Sequence, residues 1–162
     1  MKTLFLSAAV GLASLGTAWA QDMTAQDFVT QAASGGLFEV QSSELALQSA
    51  QDTEIQEFAN QMITDHTTNN QELMAIAQAE NLSMPAELGS PHAEMMQALQ
   101  SAEGEAFDSA YVQNQVVAHE TAVTLYQTYA EGGDNEALMA YAEKSLPVLQ
   151  QHLEHAQSLT AQ

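Results

Sequence analysis

The residues best suited to chemistry in this 162-residue chain are its five histidines, His66, His92, His119, His152 and His155. Three of them fall where an apolar helical stripe calls for a core residue. His66 follows Phe58 and Met62 and precedes Leu73, His119 lies between Val116 and Val123, and His152 lies between Leu149 and Ala156. Spacings of three and four place each imidazole on the buried side of a helix. Neutral imidazole is the commonest metal ligand, and facing helices of a bundle build metal sites from inward side chains. Glu39 can add a carboxylate, and Asp65 and Glu120, each next to a histidine, can orient the rings. Tyr111 can reach a histidine, and His155 shares a side of its helix with His152. Met62, one turn before His66, offers a soft sulfur, which suits copper more than iron. The bland alternative is a buried polar network, in which carboxylates, tyrosine hydroxyls or backbone carbonyls satisfy the ring nitrogens.

Other chemistries lack their residues. Di-iron carboxylate bundles use Glu-x-x-His pairs, yet the residues three before the histidines are Ile63, Gly89, Val116, Leu149 and His152. The chain has no cysteine, no Gly-x-Ser-x-Gly, no phosphate-cradling glycine loop and no His-Glu-x-x-His. No catalytic residue and no organic cofactor is therefore assigned, and the identity of a transition metal ion is left open. Three functions follow: a helical bundle that is not an enzyme and holds a metal site or polar network; a metal-dependent oxidoreductase using Glu39, His66, His119 and His152; or an interaction module whose apolar groove takes a partner helix or a lipid.

The elements that must position these side chains are helices. Prolines occur only at Pro85, Pro91 and Pro147, and the long segments between breaks are rich in Ala, Leu, Gln, Glu and Met, which are helix formers. Thr24, with Asp27 three residues on, caps a first helix that runs to about Ala50. Asp52 caps a second that ends near Asn81. Residues 82–91 form the main loop, and Ser90-Pro91 starts a short helix of about ten residues. The chain bends near Gly104 before a third long helix, which Gly132-Gly133 ends. Asp134 caps the fourth, and Pro147 kinks it. His92, at a helix start, is expected to be exposed. The segment 91–103 either joins the third long helix or stands apart as a lid. The prediction is all-α: an up-down four-helix bundle with an extra short helix before the third long one, built as one domain over residues 21–162.

Residues 1–20 have the layout of a secretory signal peptide: Lys2, an apolar stretch over 4–15, and Ala18 and Ala20 at the small positions before a cut. Cleavage after Ala20 and a periplasmic or secreted location are expected. What remains carries one basic residue, Lys144, against 21 acidic ones, a formal charge of −20. Such a surface repels nucleic-acid phosphates and anionic lipid headgroups, so neither is an expected partner.

The stretch DFVTQAASGGLFEVQSSELAL (27–47), Phe58-Ala59 with Met62-Ile63 and Asp65-His66, Phe107-Asp108 with Tyr111 and His119, and Ala142-Glu143 with Leu146-Pro147, His152-Leu153 and Ala156 resemble the bacterial domain of unknown function 4142. The resemblance covers nearly all of the chain after Ala20. It implies a ferritin-like four-helix bundle exported to the periplasm or outer-membrane region, and a family without a settled biochemical role. Glu39, Asp65, His66, Tyr111, His119, Pro147 and His152 match its characteristic positions.

Overall fold

The computed structural model describes residues 23–160, so the expected signal peptide lies outside the described residues. Five helices follow in order: α1 (Ala25–Ser49), α2 (Thr53–Ala79), α3 (Ser90–Gln100), α4 (Glu105–Gly132) and α5 (Glu136–Leu159). There is no strand among the described residues.

Local chemistry explains most of the boundaries. Thr24 and Asp27 exchange side-chain and backbone hydrogen bonds in a capping box, and Asp52 accepts from the Glu54 N–H at 2.7 Å. The cap of α5 is Asn135 rather than Asp134: the Asn135 side chain accepts from the Leu138 N–H at 3.0 Å, while Asp134 accepts from the Tyr129 hydroxyl, also at 3.0 Å. Gly104 separates α3 from α4 with a φ of 60°, a left-handed conformation that favours glycine. Pro147 sits inside α5. The carbonyl it leaves unpaired belongs to Glu143, which is exposed, so water can satisfy it and the helix continues.

The short loops at 50–52 and 133–135 make α1–α2 and α4–α5 antiparallel hairpins, as expected. Between the hairpins the order differs from a simple up-down chain. Ser43 bonds Tyr111 and Phe28 stacks on Tyr129, so numbers fall along α1 as they rise along α4. Asp65 bonds His152 and Glu72 bonds Lys144, so α2 and α5 are also antiparallel. Hence α2 and α4 run parallel, and the intervening chain must return along the bundle. That return is α3, which packs on α1 and α4. Its 11 residues span about 16 Å at about 1.5 Å per residue, and extended flanks supply the rest.

The core has two apolar halves. Phe28, Leu73, Tyr126, Tyr129, Leu138, Tyr141 and Leu149 pack at the end where α1 begins. Phe58, Met62, Leu99, Phe107, Tyr111 and Ala156 pack at the other. Buried aromatic and aliphatic side chains of this kind each contribute about 1.5–3 kcal/mol. The predicted histidine positions fall between the halves.

Candidate metal centre

One histidine comes from each of three helices: His66 from α2, His119 from α4 and His152 from α5. All three are buried, and their ring centroids form a nearly equilateral triangle with sides of 5.5, 5.3 and 5.4 Å. A potential ligand atom of each lies within 4.8 Å of those of the other two. The spacing along each helix placed these rings on the inner face, and the bundle brings them to one level.

Hydrogen bonds orient two of the rings. His119 Nδ1 lies 2.9 Å from the Gln115 carbonyl oxygen, which can only accept, so Nδ1 carries the proton and Nε2 keeps its lone pair. His152 Nε2 donates to the Asp65 carboxylate at 2.9 Å, which leaves the lone pair on Nδ1. The buried polar atoms that find no partner include His119 Nε2, His152 Nδ1 and His66 Nε2. Three imidazoles thus offer three unpartnered nitrogens in one buried layer.

The electrostatics keep these three rings neutral. Burial holds His66 well below the ordinary histidine range, with the neighbouring His119 and His152 pushing the same way. Burial likewise lowers His119 to about 4, against the Gln115 carbonyl bond. His152 is lowered by burial, although its Asp65 partner pulls the other way. Glu39 of α1 completes the layer at 3% exposure; burial pushes its carboxyl up to about 8, partly opposed by Gln115. At neutral pH the approach of Glu39 Oε1 to His119 Nδ1, 3.5 Å, is therefore a contact between neutral groups rather than an ion pair.

Not every predicted residue joins the layer. Asp65 does, through His152. Glu120 is exposed, because it follows His119 and a one-residue step turns it about 100° away. Tyr111 is buried but bonds Ser43 at 2.8 Å rather than a histidine. Met62 packs within the apolar half that holds Phe58. His155 is exposed and rests edge-on against Phe58, with centroids 4.9 Å apart. His92, expected to be exposed, is half-buried: it lies 2.7 Å from Ser34 Oγ and stacks on Phe38. Sequence reasoning missed Gln115 and Ser42, which bond each other at 3.0 Å beside Glu39. The four-residue step from Gln115 to His119 puts both on one face and was the available signal.

Two openings reach this layer. A cleft of about 240 Å³ between α2 and α5 is lined by Asp65, His66, Glu72, Lys144, Ser145 and His152 among others. A groove of about 290 Å³ under α3 runs past Ser34, His92 and Met95 to Glu39 and His66.

Among solved structures, the chain is similar to CopM in the Cu(II)-bound form, with a TM-score of 0.70 and 18% identity, covering 85% of this chain and 96% of that one. Similar agreement is found with CopM in the Cu(I)-bound form (TM-score 0.69, 16% identity, 83% and 94% covered) and in the Ag-bound form obtained by co-crystallization (0.67, 18%, 83% and 93%). At these identities the likeness establishes a shared fold. No curated protein sequence matches the chain. Residues 12–159 match the domain of unknown function (DUF4142), and the chain belongs to that family.

Proposed function

We propose that this protein binds one copper ion through His66, His119 and His152, as an exported helical bundle that holds the metal. The observation that carries the reading is the set of three unpartnered nitrogens. Buried polar atoms nearly always find a partner, and leaving one unsatisfied costs about 1–3 kcal/mol. Three such atoms on clustered neutral imidazoles, a ligand atom of each ring lying within 4.8 Å of those of the others, fit an ion better than they fit a packed core. A metal–imidazole bond of about 2.0–2.1 Å requires the rings to move inward by about an ångström, which side-chain torsions can supply. The Gln115 carbonyl and the Asp65 carboxylate fix tautomer and ring orientation, as the outer partners of metal-bound histidines do.

Imidazole suits copper, zinc, iron and nickel alike, so the donors do not choose the ion alone. The likeness to the copper- and silver-bound CopM structures favours copper. Charge favours its monovalent form: with three neutral imidazoles and a protonated Glu39, a monovalent ion buries one net charge rather than two, and buried charge is costly. The signal-peptide layout of residues 1–20 supports export, and the single long crossover between α2 and α4 is the connection that ferritin-like bundles use.

The test is metal analysis of the purified protein after equilibration with equal copper and zinc. About one copper per chain is expected, lost when His66, His119 or His152 is individually replaced by alanine while circular dichroism still reports a helical fold. Retention of zinc in preference to copper would keep the metal centre and remove copper. Absence of either metal from the wild-type protein would sink the reading.

A further inference from the structure

The three nitrogens assigned to the ion are closed to solvent. An ion therefore reaches them only if part of the protein moves. The two openings differ in what their walls are tied to. On the cleft side, α2 and α5 are hydrogen-bonded through four residue pairs: Asp65 with His152 at 2.9 Å, Asn69 with Ser145 at 2.9 Å, Glu72 with Lys144 at 2.7 Å, and the Asn69 carbonyl with the Tyr141 hydroxyl at 3.4 Å. Both helices also supply both apolar halves of the core, so parting them uncovers Phe58, Met62, Leu73 and Leu149 together.

The outer wall of the groove is held less firmly. Helix α3 buries a single residue, Leu99, near its C-terminal end. Its N-terminal half is fastened to α1 by one side chain and one ring stack. Ser34 Oγ accepts the Gly89 N–H at 2.8 Å and shares a hydrogen bond with His92 Nδ1 at 2.7 Å. The His92 ring lies on Phe38 with centroids 5.4 Å apart. Behind this latch the groove leads directly to Glu39 and His66.

We propose that the N-terminal half of α3 is the gate through which the ion enters and leaves, pivoting on Leu99, with Ser34 as the latch and the groove past Glu39 to His66 as the path. The proposal rests on the metal reading above. His92 and Met95 line the same groove, so an imidazole and a thioether, both donors that copper accepts, flank the path.

The chain contains no cysteine, so an engineered cross-link has no competing thiol. A Cβ placed on Gly89 would lie 3.7 Å from Ser34 Cβ, inside the roughly 3.5–4.5 Å span of a disulfide, and the Gly89 φ of −67° accepts any side chain. The experiment uses the Ser34→Cys/Gly89→Cys double variant, oxidised to completion as judged by mass spectrometry, alongside the wild type and Ser34→Ala. Silver(I) serves as the probe, because it is monovalent and needs no reductant that would open the disulfide. Uptake is followed by the histidine ring signals in NMR. The cross-link is expected to slow uptake at least tenfold, and Ser34→Ala to speed it several-fold. Uptake by the cross-linked protein at the wild-type rate would overturn the gate alone and leave the cleft as the route. A wild-type protein that takes up no silver would overturn the metal centre, and the gate with it.

Discussion

At the scale of single residues, the layer between the two apolar halves combines groups whose charges respond to pH in opposite directions. Burial raises Glu39 from 4.5 to about 8, so the folded protein keeps a proton that the unfolded chain has already lost. That contribution is complete below about pH 4.5 and declines as pH rises toward 8. The buried histidines act the other way. Their lowered values mean that the unfolded chain binds protons which the folded protein refuses, so stability falls as pH drops below about 6.5. Replacing Glu39 by glutamine removes the first effect and keeps the second. In urea unfolding of metal-free protein between pH 5 and 8, the wild type should lose on the order of a few kcal/mol relative to Glu39→Gln. Parallel curves for the two proteins would show that Glu39 ionises as freely in the fold as outside it. The residues themselves were legible in sequence: Glu39, His66, His119 and His152 all face the layer. Glu120 was not separable from Asp65 by the same reasoning, since each adjoins a histidine. Asp65 precedes its neighbour and rotates toward α5, whereas Glu120 follows its own and rotates toward water.

At the scale of elements, the close approach of α1 and α2 depends on Gly36. A Cβ at that position would lie 1.9 Å from Asn70 Oδ1 and 2.7 Å from its Cγ, so the Asn70 side chain must swing away if Gly36 becomes alanine. Overpacking of this kind costs about 1–3 kcal/mol. Thermal unfolding should show that loss in Gly36→Ala and recover most of it in Gly36→Ala/Asn70→Ala. If the second substitution restored nothing, the backbone rather than Asn70 would be what resists the methyl group. Helix ends were largely readable because caps act within three residues: Thr24 and Asp52 perform as their sequence context predicts. The exception is instructive. Asp134 and Asn135 are both competent caps, and the Tyr129 hydroxyl decides between them by occupying Asp134. The independence of α3 was undecided in sequence; α3 stops at Gln100, and the positive φ of Gly104 turns the chain into a new direction where α4 begins.

At the scale of the whole molecule, a formal charge of −19 on 162 residues with only two basic side chains implies strong self-repulsion in the compact state. Among the described residues the one ion pair to a lysine, Lys144 with Glu72, is largely exposed and adds little. Salt shortens the range of repulsion from about 10 Å at 0.1 M to about 3 Å at 1 M. The melting temperature should therefore rise by several degrees over that range, and a flat response would mean that the carboxylates are too dispersed to oppose folding. No helix among the described residues is long and apolar enough to cross a membrane. What the sequence by itself determined is local. Spacings of three and four assigned the helices, their buried faces and the inward histidines, because those relations repeat within one or two turns. Only the tertiary structure decided that His66, His119 and His152 share one level, that Asp65 holds His152 across 87 positions of chain, and that α2 and α4 run parallel with α3 returning between them. Those facts depend on how helices slide and cross when the two apolar halves pack. Side chains far apart in sequence fix that sliding, and no spacing within a single helix encodes it.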